Sequence, residues 1–333
     1  MEKQTITIYD VAREAKVSMA TVSRVVNGNA NVKKQTKDNV EEVIARLGYR
    51  PNAVARGLAS RRTTTIGVII PDVTDHYFAE LARGIDDVAA MYHYQIILAN
   101  SDESNAKELR VLDSLLGKQV DGIIFMGNLI NEPIRDAFAK ADVPIVLAGS
   151  VDAEQAQASV TIDYTLATQE ATTRLIKSGH QEVALIMGPS EHSINRDYKL
   201  VGYKQALEIA GIPFDENLVI TADYDYQSGY QLAHIVNDSM ATAAVVVDDE
   251  MEAGLLNGLV DMGISLPEDF EIITSNNSRL TVMTRPQLSS ITQPIYDLGA
   301  VAMRMLTKLM NHEKLDVKNI ILPHGYAERD TTK

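Results

Sequence analysis

The chain has 333 residues, with 45 Asp and Glu against 31 Lys and Arg, and it contains no cysteine. Disulfides and thiolate chemistry are thereby excluded, and the length allows two or three domains at about 100–200 residues each. A hydrophobic content of 45% with 23% charged residues is ordinary for a globular chain, and no apolar run approaches the roughly 20 residues that cross a bilayer. The opening MEKQTITIYDVAREAK has no apolar signal segment, so a cytoplasmic location without membrane attachment is expected.

The charge is divided unevenly. Residues 1–62 hold twelve Lys and Arg against six Asp and Glu, and the remainder holds nineteen against thirty-nine. A basic end on an acidic body is the asymmetry expected when only that end meets a polyanion.

Three short helices are expected first. Thr7 to Asp10 reads as a capping box that opens a helix through Val11, Ala12 and Ala15. Lys16-Val17 makes a turn, and Ser18 caps a second helix from Met19 to about Val26, which stops at Asn27-Gly28. A third helix runs from about Lys34 to Leu47 with Val40, Val43, Ile44 and Leu47 on one apolar stripe, although Lys33 is a poor capping residue. Two short helices joined by a tight turn, with Val11, Ala12, Ala15, Val17, Val22 and Val25 inward, match a helix-turn-helix. Met19, Ala20, Ser23 and Arg24 are left facing outward. Met19 and Ala20 suit thymine methyls, Arg24 suits guanine, and Ser18 and Thr21 suit phosphates.

Residues 51–60, with Pro51 at the start and Gly57 inside, form a poor independent helix of under three turns. A segment that becomes helical only when two copies pair on DNA is one reading, and an ordinary linker is the other. From about Thr63 the pattern changes to apolar runs of strand length separated by helical stretches. These runs are Thr65–Ile70, Gln95–Ala99, Gly122–Met126, Pro144–Leu147, Val160–Ile162, Val183–Ile186, Ala244–Val247 and Glu271–Ile273. Such strands indicate an α/β core with doubly wound parallel sheets covered on both faces, and about 270 residues suit two lobes. A ligand cleft is expected between them.

Asp248, Asp249 and Glu250 are expected at a solvated strand end. The seven histidines are scattered, with no metal-ligand spacing. Without a Walker sequence, GxGxxG, HExxH or nucleophile elbow, no enzyme, metal or cofactor is expected. Near the C-terminus, Ala300, Arg304 and Lys308 share a helical face at four-residue spacing, with Tyr296, Asp297 and Val301 nearby. Arginine and lysine one turn apart can clamp a phosphate, and they can equally form a solvated basic face.

Thr7–Ala12, Val17–Gly28 and Leu47–Leu58, with echoes at Gly179–Ala184 and Arg285–Ile291, closely resemble the LacI/GalR family of repressors. The resemblance implies a helix-turn-helix domain over 1–50, a hinge over 51–60, one lobe of 61–162 with 291–321, and another of 163–290 with 322–333. The core is then of the periplasmic-binding-protein-like type, crossed near Asp163, Ser290 and Leu322. It also implies a homodimer on a pseudo-palindromic double-stranded operator. Leu58 becomes a minor-groove wedge flanked by Asn52 and Arg56, and Thr7, Asn31, Tyr49 and Ala55 complete the DNA-contacting set.

Gly299–Arg304 resembles the branch of that family that governs carbon catabolite control in Gram-positive bacteria. In that branch the corepressor is the phosphocarrier HPr phosphorylated on a serine. The resemblance assigns phosphate contact to Arg304 and Lys308, support to Tyr296, Asp297, Ala300 and Val301, and the rest of the surface to Glu80, Arg83 and Asp87. A sugar-responsive repressor is the alternative, and a sugar phosphate could be a second effector. Lys199 and Asn276 stand where sugar- and purine-responsive relatives carry an arginine and an aspartate, and Glu252 replaces a small residue. These departures weigh against a neutral sugar.

Overall fold

The computed structural model describes residues 6–26, 28, 31–50, 62–127 and 129–333. The expected hinge over 51–60, with Asn52, Ala55, Arg56 and Leu58, lies outside the described residues. The chain divides into two compact units between Thr63 and Thr64.

The first unit holds α1 (Ile8–Ala15), α2 (Met19–Val26) and α3 (Lys34–Leu47). The Asp10 carboxylate accepts from the Thr7 N–H at 3.0 Å and from its hydroxyl at 2.7 Å, which anchors the start of α1. Lys16 adopts a left-handed conformation with φ 54°, ending α1 and allowing the turn into α2. Val11, Ala12, Ala15, Val22, Val25, Val40 and Val43 form the small core. Lys33 offers no side-chain cap to α3, whereas Gly48 ends it at φ 65°.

The second unit contains two six-stranded sheets. The first lobe begins β1 (Thr65–Ile70), α4 (His76–Met91), β2 (Gln95–Asn100), α5 (Asn105–Gly117), β3 (Gly122–Phe125), α6 (Glu132–Lys140), β4 (Ile145–Ala148) and β5 (Ala158–Ile162). The chain then enters the second lobe through α7 (Tyr164–Lys177), β6 (Val183–Met187), a π-helical turn over Ile194–Lys199, α8 (Leu200–Ala210) and β7 (Val219–Thr221). That lobe continues with α9 (Tyr226–Asp238), β8 (Ala243–Val246), α10 (Asp249–Asp261), β9 (Glu271–Thr274), α11 (Leu280–Met283) and β10 (Ser289–Thr292). Next, α12 (Ile295–Met310) and β11 (Asn319–Leu322) return to the first lobe, and β12 (Gly325–Ala327) closes the second.

Strand order is β11-β5-β4-β3-β1-β2 in one sheet and β12-β10-β9-β8-β6-β7 in the other. All recorded pairings are parallel except β10 with β12. The β10 ladder extends to a pair between Thr292 and Gly325, two residues beyond Ser290.

In the first lobe α4 and α12 lie side by side over the sheet. A Cβ on Gly84 would stand 2.0 Å from the Tyr296 carbonyl oxygen, and one on Gly299 would stand 2.0 Å from that of Leu81. The two backbones are therefore in contact, and only glycine fits at both points. Gly299→Ala should force the helices apart and lower unfolding stability by about 1–3 kcal/mol, read from urea denaturation. An unchanged midpoint would show that the seam tolerates a methyl group.

Candidate functional site

The helix-turn-helix presents a defined exposed surface. Met19 is 41% exposed, and Ala20 and Arg24 are also exposed, whereas Thr21 and Ser23 are half-buried. Ser18 Oγ accepts from the Thr21 N–H at 3.2 Å and lies 2.9 Å from the Thr21 hydroxyl, so both hydroxyls stand at the N-terminal end of α2. Asn39 donates from α3 to the Ala15 carbonyl at 2.9 Å, and Arg46 pairs with Glu14 at 2.8 Å, fixing α3 against α1. Thr7 and Asn31 are exposed, and Tyr49 packs half-buried against the core. An apolar pair, a guanidinium and two hydroxyls on one short helix are chemically suited to base edges and phosphates.

The second surface is built on α4 and α12. Arg83 donates through Nε to both Asp87 oxygens, at 3.0 and 3.1 Å, and the Tyr296 hydroxyl donates to Asp87 from the other helix at 3.1 Å. The Arg83 hydrogen bond holds the Asp87 carboxyl below its ordinary range. Glu80, Arg83, Tyr296, Asp297, Arg304 and Lys308 are exposed, and Asp87 and Val301 are half-buried. Among the described residues Arg304 has no carboxylate partner, and Lys308 has only the exposed Asp316 at 3.7 Å. Ala300 departs from expectation. It is 3% exposed and lies in the α4–α12 seam, where its N–H group faces Gly84, so its side chain cannot touch a partner.

Between the lobes lies a cleft of about 550 Å3, open to solvent, lined by Asp75 and Tyr77 from the first lobe and by Tyr164, Lys199, Asp248 and Asn276 from the second. Each aspartate caps a helix: Asp75 accepts from the Tyr77 N–H at 2.8 Å, and Asp248 accepts from those of Glu250 and Met251 at 3.0 and 2.9 Å. Burial, then the charge of Asp248, pushes the Asp75 carboxyl up. Burial, then the charge of Asp249, raises Asp248. Lys199 is buried as well, which lowers it to about 8, although Asp248 acts in the opposite sense.

The expectation of a solvated strand end at 248–250 is corrected. Asp248 and Asp249 are buried, and Asp249 accepts from the Thr274 hydroxyl and the N–H groups of Asn276 and Ser278, tying α10 to the loop after β9. Asp75 is not among the residues that the sequence singles out. Its place at the end of β1, where parallel strands deliver their loops to the cleft, is the signal that marks it.

Residues 7–52 match the lacI family of bacterial regulatory proteins, and residues 63–330 match the periplasmic binding proteins and sugar binding domain of the LacI family. The chain is a regulator of the LacI family, with a DNA-binding helix-turn-helix and a two-lobed α/β core. It is 59% identical to catabolite control protein A of Streptococcus mutans over 329 residues, covering 99% of this chain and 98% of that one. The crystal structure of the transcription regulator CcpA of Lactococcus lactis, 47% identical, covers 82% of this chain and all of its own with a TM-score of 0.78. The lac repressor dimer bound to operator and an anti-inducer, 26% identical, covers 99% of both chains with a TM-score of 0.90. No helix among the described residues is long and apolar enough to cross a membrane.

The cleft aspartates carry a pH dependence. Asp75 is pushed up from an ordinary value near 3.8 to about 7, so the folded chain holds a proton that the unfolded chain has released. Stability therefore falls as pH rises across that window. Asp75→Asn keeps the helix cap and removes the charge. It should raise the thermal midpoint at pH 8 and flatten the dependence between pH 5 and 8. A midpoint that falls at pH 8 would show that the charge is stabilising.

Proposed function

We propose that this chain regulates genes of carbon catabolism as a homodimer on a pseudo-palindromic operator, and that serine-phosphorylated HPr enhances that binding by docking on α4 and α12. The observation that carries the reading is Arg304, an exposed guanidinium without a carboxylate partner among the described residues, one turn from Lys308 on a helix whose spacing to α4 is set by glycine contacts. A fixed pair of cations receives a phosphate, while Arg83, Asp87 and Tyr296 offer a hydrogen-bonded rim.

Similarity to catabolite control protein A supports the physiological side of the reading. On the DNA side, Met19, Ala20 and Arg24 read base edges, Ser18 and Thr21 hold phosphates, and the Leu58 wedge rests on the sequence. A phosphate is better suited to the helices than to the cleft, where Lys199 alone meets Asp75, Glu103 and Asp248. A partner that favours the DNA-competent state shifts the population toward it.

The test is fluorescence anisotropy of a labelled palindromic operator at fixed salt, with the full chain alone, with HPr and with serine-phosphorylated HPr. Only the phosphorylated form should tighten binding, by about tenfold, and the double variant Arg304→Glu, Lys308→Glu should reduce that gain to within about twofold. Enhancement that survives the charge reversal would place the partner elsewhere, and equal binding in all three conditions would remove it.

A further inference from the structure

Beside the main cleft, and sharing Glu103 with it, a recess of about 730 Å3, open to solvent, lies between the lobes. Glu103, Asn105 and Glu108 line it from the first lobe, and Glu191 and His192 line it from the second. The first three lie at or just before the start of α5, and the last two lie in the segment after β6.

Two of these groups have unmet hydrogen-bonding capacity. Glu108 is 2% exposed, and its Oε2 accepts no hydrogen bond among the described residues. Burial, then the charge of Glu103, raises its carboxyl to about 7, so at pH 8 it is an ionised acceptor held out of water. His192 is 9% exposed, its Nδ1 has no partner among the described residues, and its ring stacks on Tyr224 with centroids 6.2 Å apart. Burial lowers its pKa, so the imidazole stays neutral and offers one ring nitrogen as an acceptor. Among the described residues no lysine or arginine lines the recess, and Leu129 and Pro189 add apolar wall.

A buried acceptor with no donor calls for an occupant. A phosphate brings only acceptors and negative charge, which this lining repels. A metal ion is also poorly served, since among the described residues no three His, Asp or Glu groups are arranged to hold one. What matches three carboxylates, a neutral imidazole and an apolar wall is a positively charged N–H donor on a short carbon skeleton. We propose that this recess binds a small aliphatic amine in its ammonium form. Its N–H groups donate to Glu108 and His192, and Glu103 and Glu191 supply the balancing charge. Because the walls come from both lobes, such an occupant favours the arrangement that brings them together. The site is separate from the α4–α12 surface, so it stands whether or not a phosphoprotein docks there.

Putrescine is the probe, titrated calorimetrically into the full chain at pH 8 and low salt, with thermal midpoints measured in parallel. Binding should raise the midpoint by mass action. Glu108→Gln should weaken binding by about tenfold, and Glu191→Gln, at the exposed rim, by about two- to threefold. Without amine, Glu108→Gln should itself raise the midpoint at pH 8, because it removes a desolvated charge, which also shows that the variant folds. The proposal is overturned if putrescine does not bind, if Glu108→Gln binds it as well as the parent does, or if sodium at matched ionic strength has the same effect. The first two results would show that the amine does not use Glu108, and the third would show non-specific charge screening.

Discussion

The contact between the backbones of α4 and α12 at Gly84 and Gly299 is the constraint on which the rest of the first lobe depends. With carbonyl oxygens standing where a Cβ would be, the helices have no side-chain layer between them that could adjust. They therefore behave as one body, braced across the seam by the Tyr296–Asp87 hydrogen bond. That body has three working parts. Its exposed face carries Arg83, Arg304 and Lys308, its inner face covers the first sheet, and the start of α4 places Asp75 in the cleft. A partner that biases the position of the two helices also biases the position of Asp75 relative to Asp248. This rigid coupling needs no chain of small side-chain movements.

Electrostatics sets the character of the interlobe space. Like-signed carboxyls approach from opposite lobes, buried enough that burial, and not hydrogen bonding, governs their protonation. Lys199 offsets one of these charges, and the others need protons or a cationic partner when the lobes come together. Ions on the α4–α12 face remain in water, where single pairs contribute about 0–1 kcal/mol. The two regions thus differ in kind. Charges on the exposed face carry no large desolvation term, whereas burial in the cleft makes like charges costly.

The sequence was most informative where local chemistry decides structure. The capping box at Thr7 and Asp10, the turn at Lys16 and the cap at Ser18 act within a few residues, so all three helices of the first unit were legible. Most of the buried central strands were legible for the same reason, as continuous apolar runs, but Ser289–Thr292 was not, because three of its four residues carry hydroxyls. The strands Val219–Thr221, Asn319–Leu322 and Gly325–Ala327 were not, because they are short edge or closing strands that are only partly buried and have no clear period. Ala300 was misplaced because four-residue spacing groups it with Arg304 and Lys308, whereas the glycine seam draws the near end of that face under α4. The burial of Asp248, Asp249 and Glu108 depends on contacts from segments distant in sequence, which spacing does not encode.

The most direct test of the two-helix docking account is hydrogen–deuterium exchange of the full chain with unphosphorylated HPr and with serine-phosphorylated HPr. The account predicts that only the phosphorylated form slows exchange, over residues 80–87 and 296–308, since that surface is where Arg304 and Lys308 meet the phosphate. Slowed exchange confined to the cleft-lining segments around Asp75, Lys199 and Asp248, with α4 and α12 unchanged over those ranges, would contradict it.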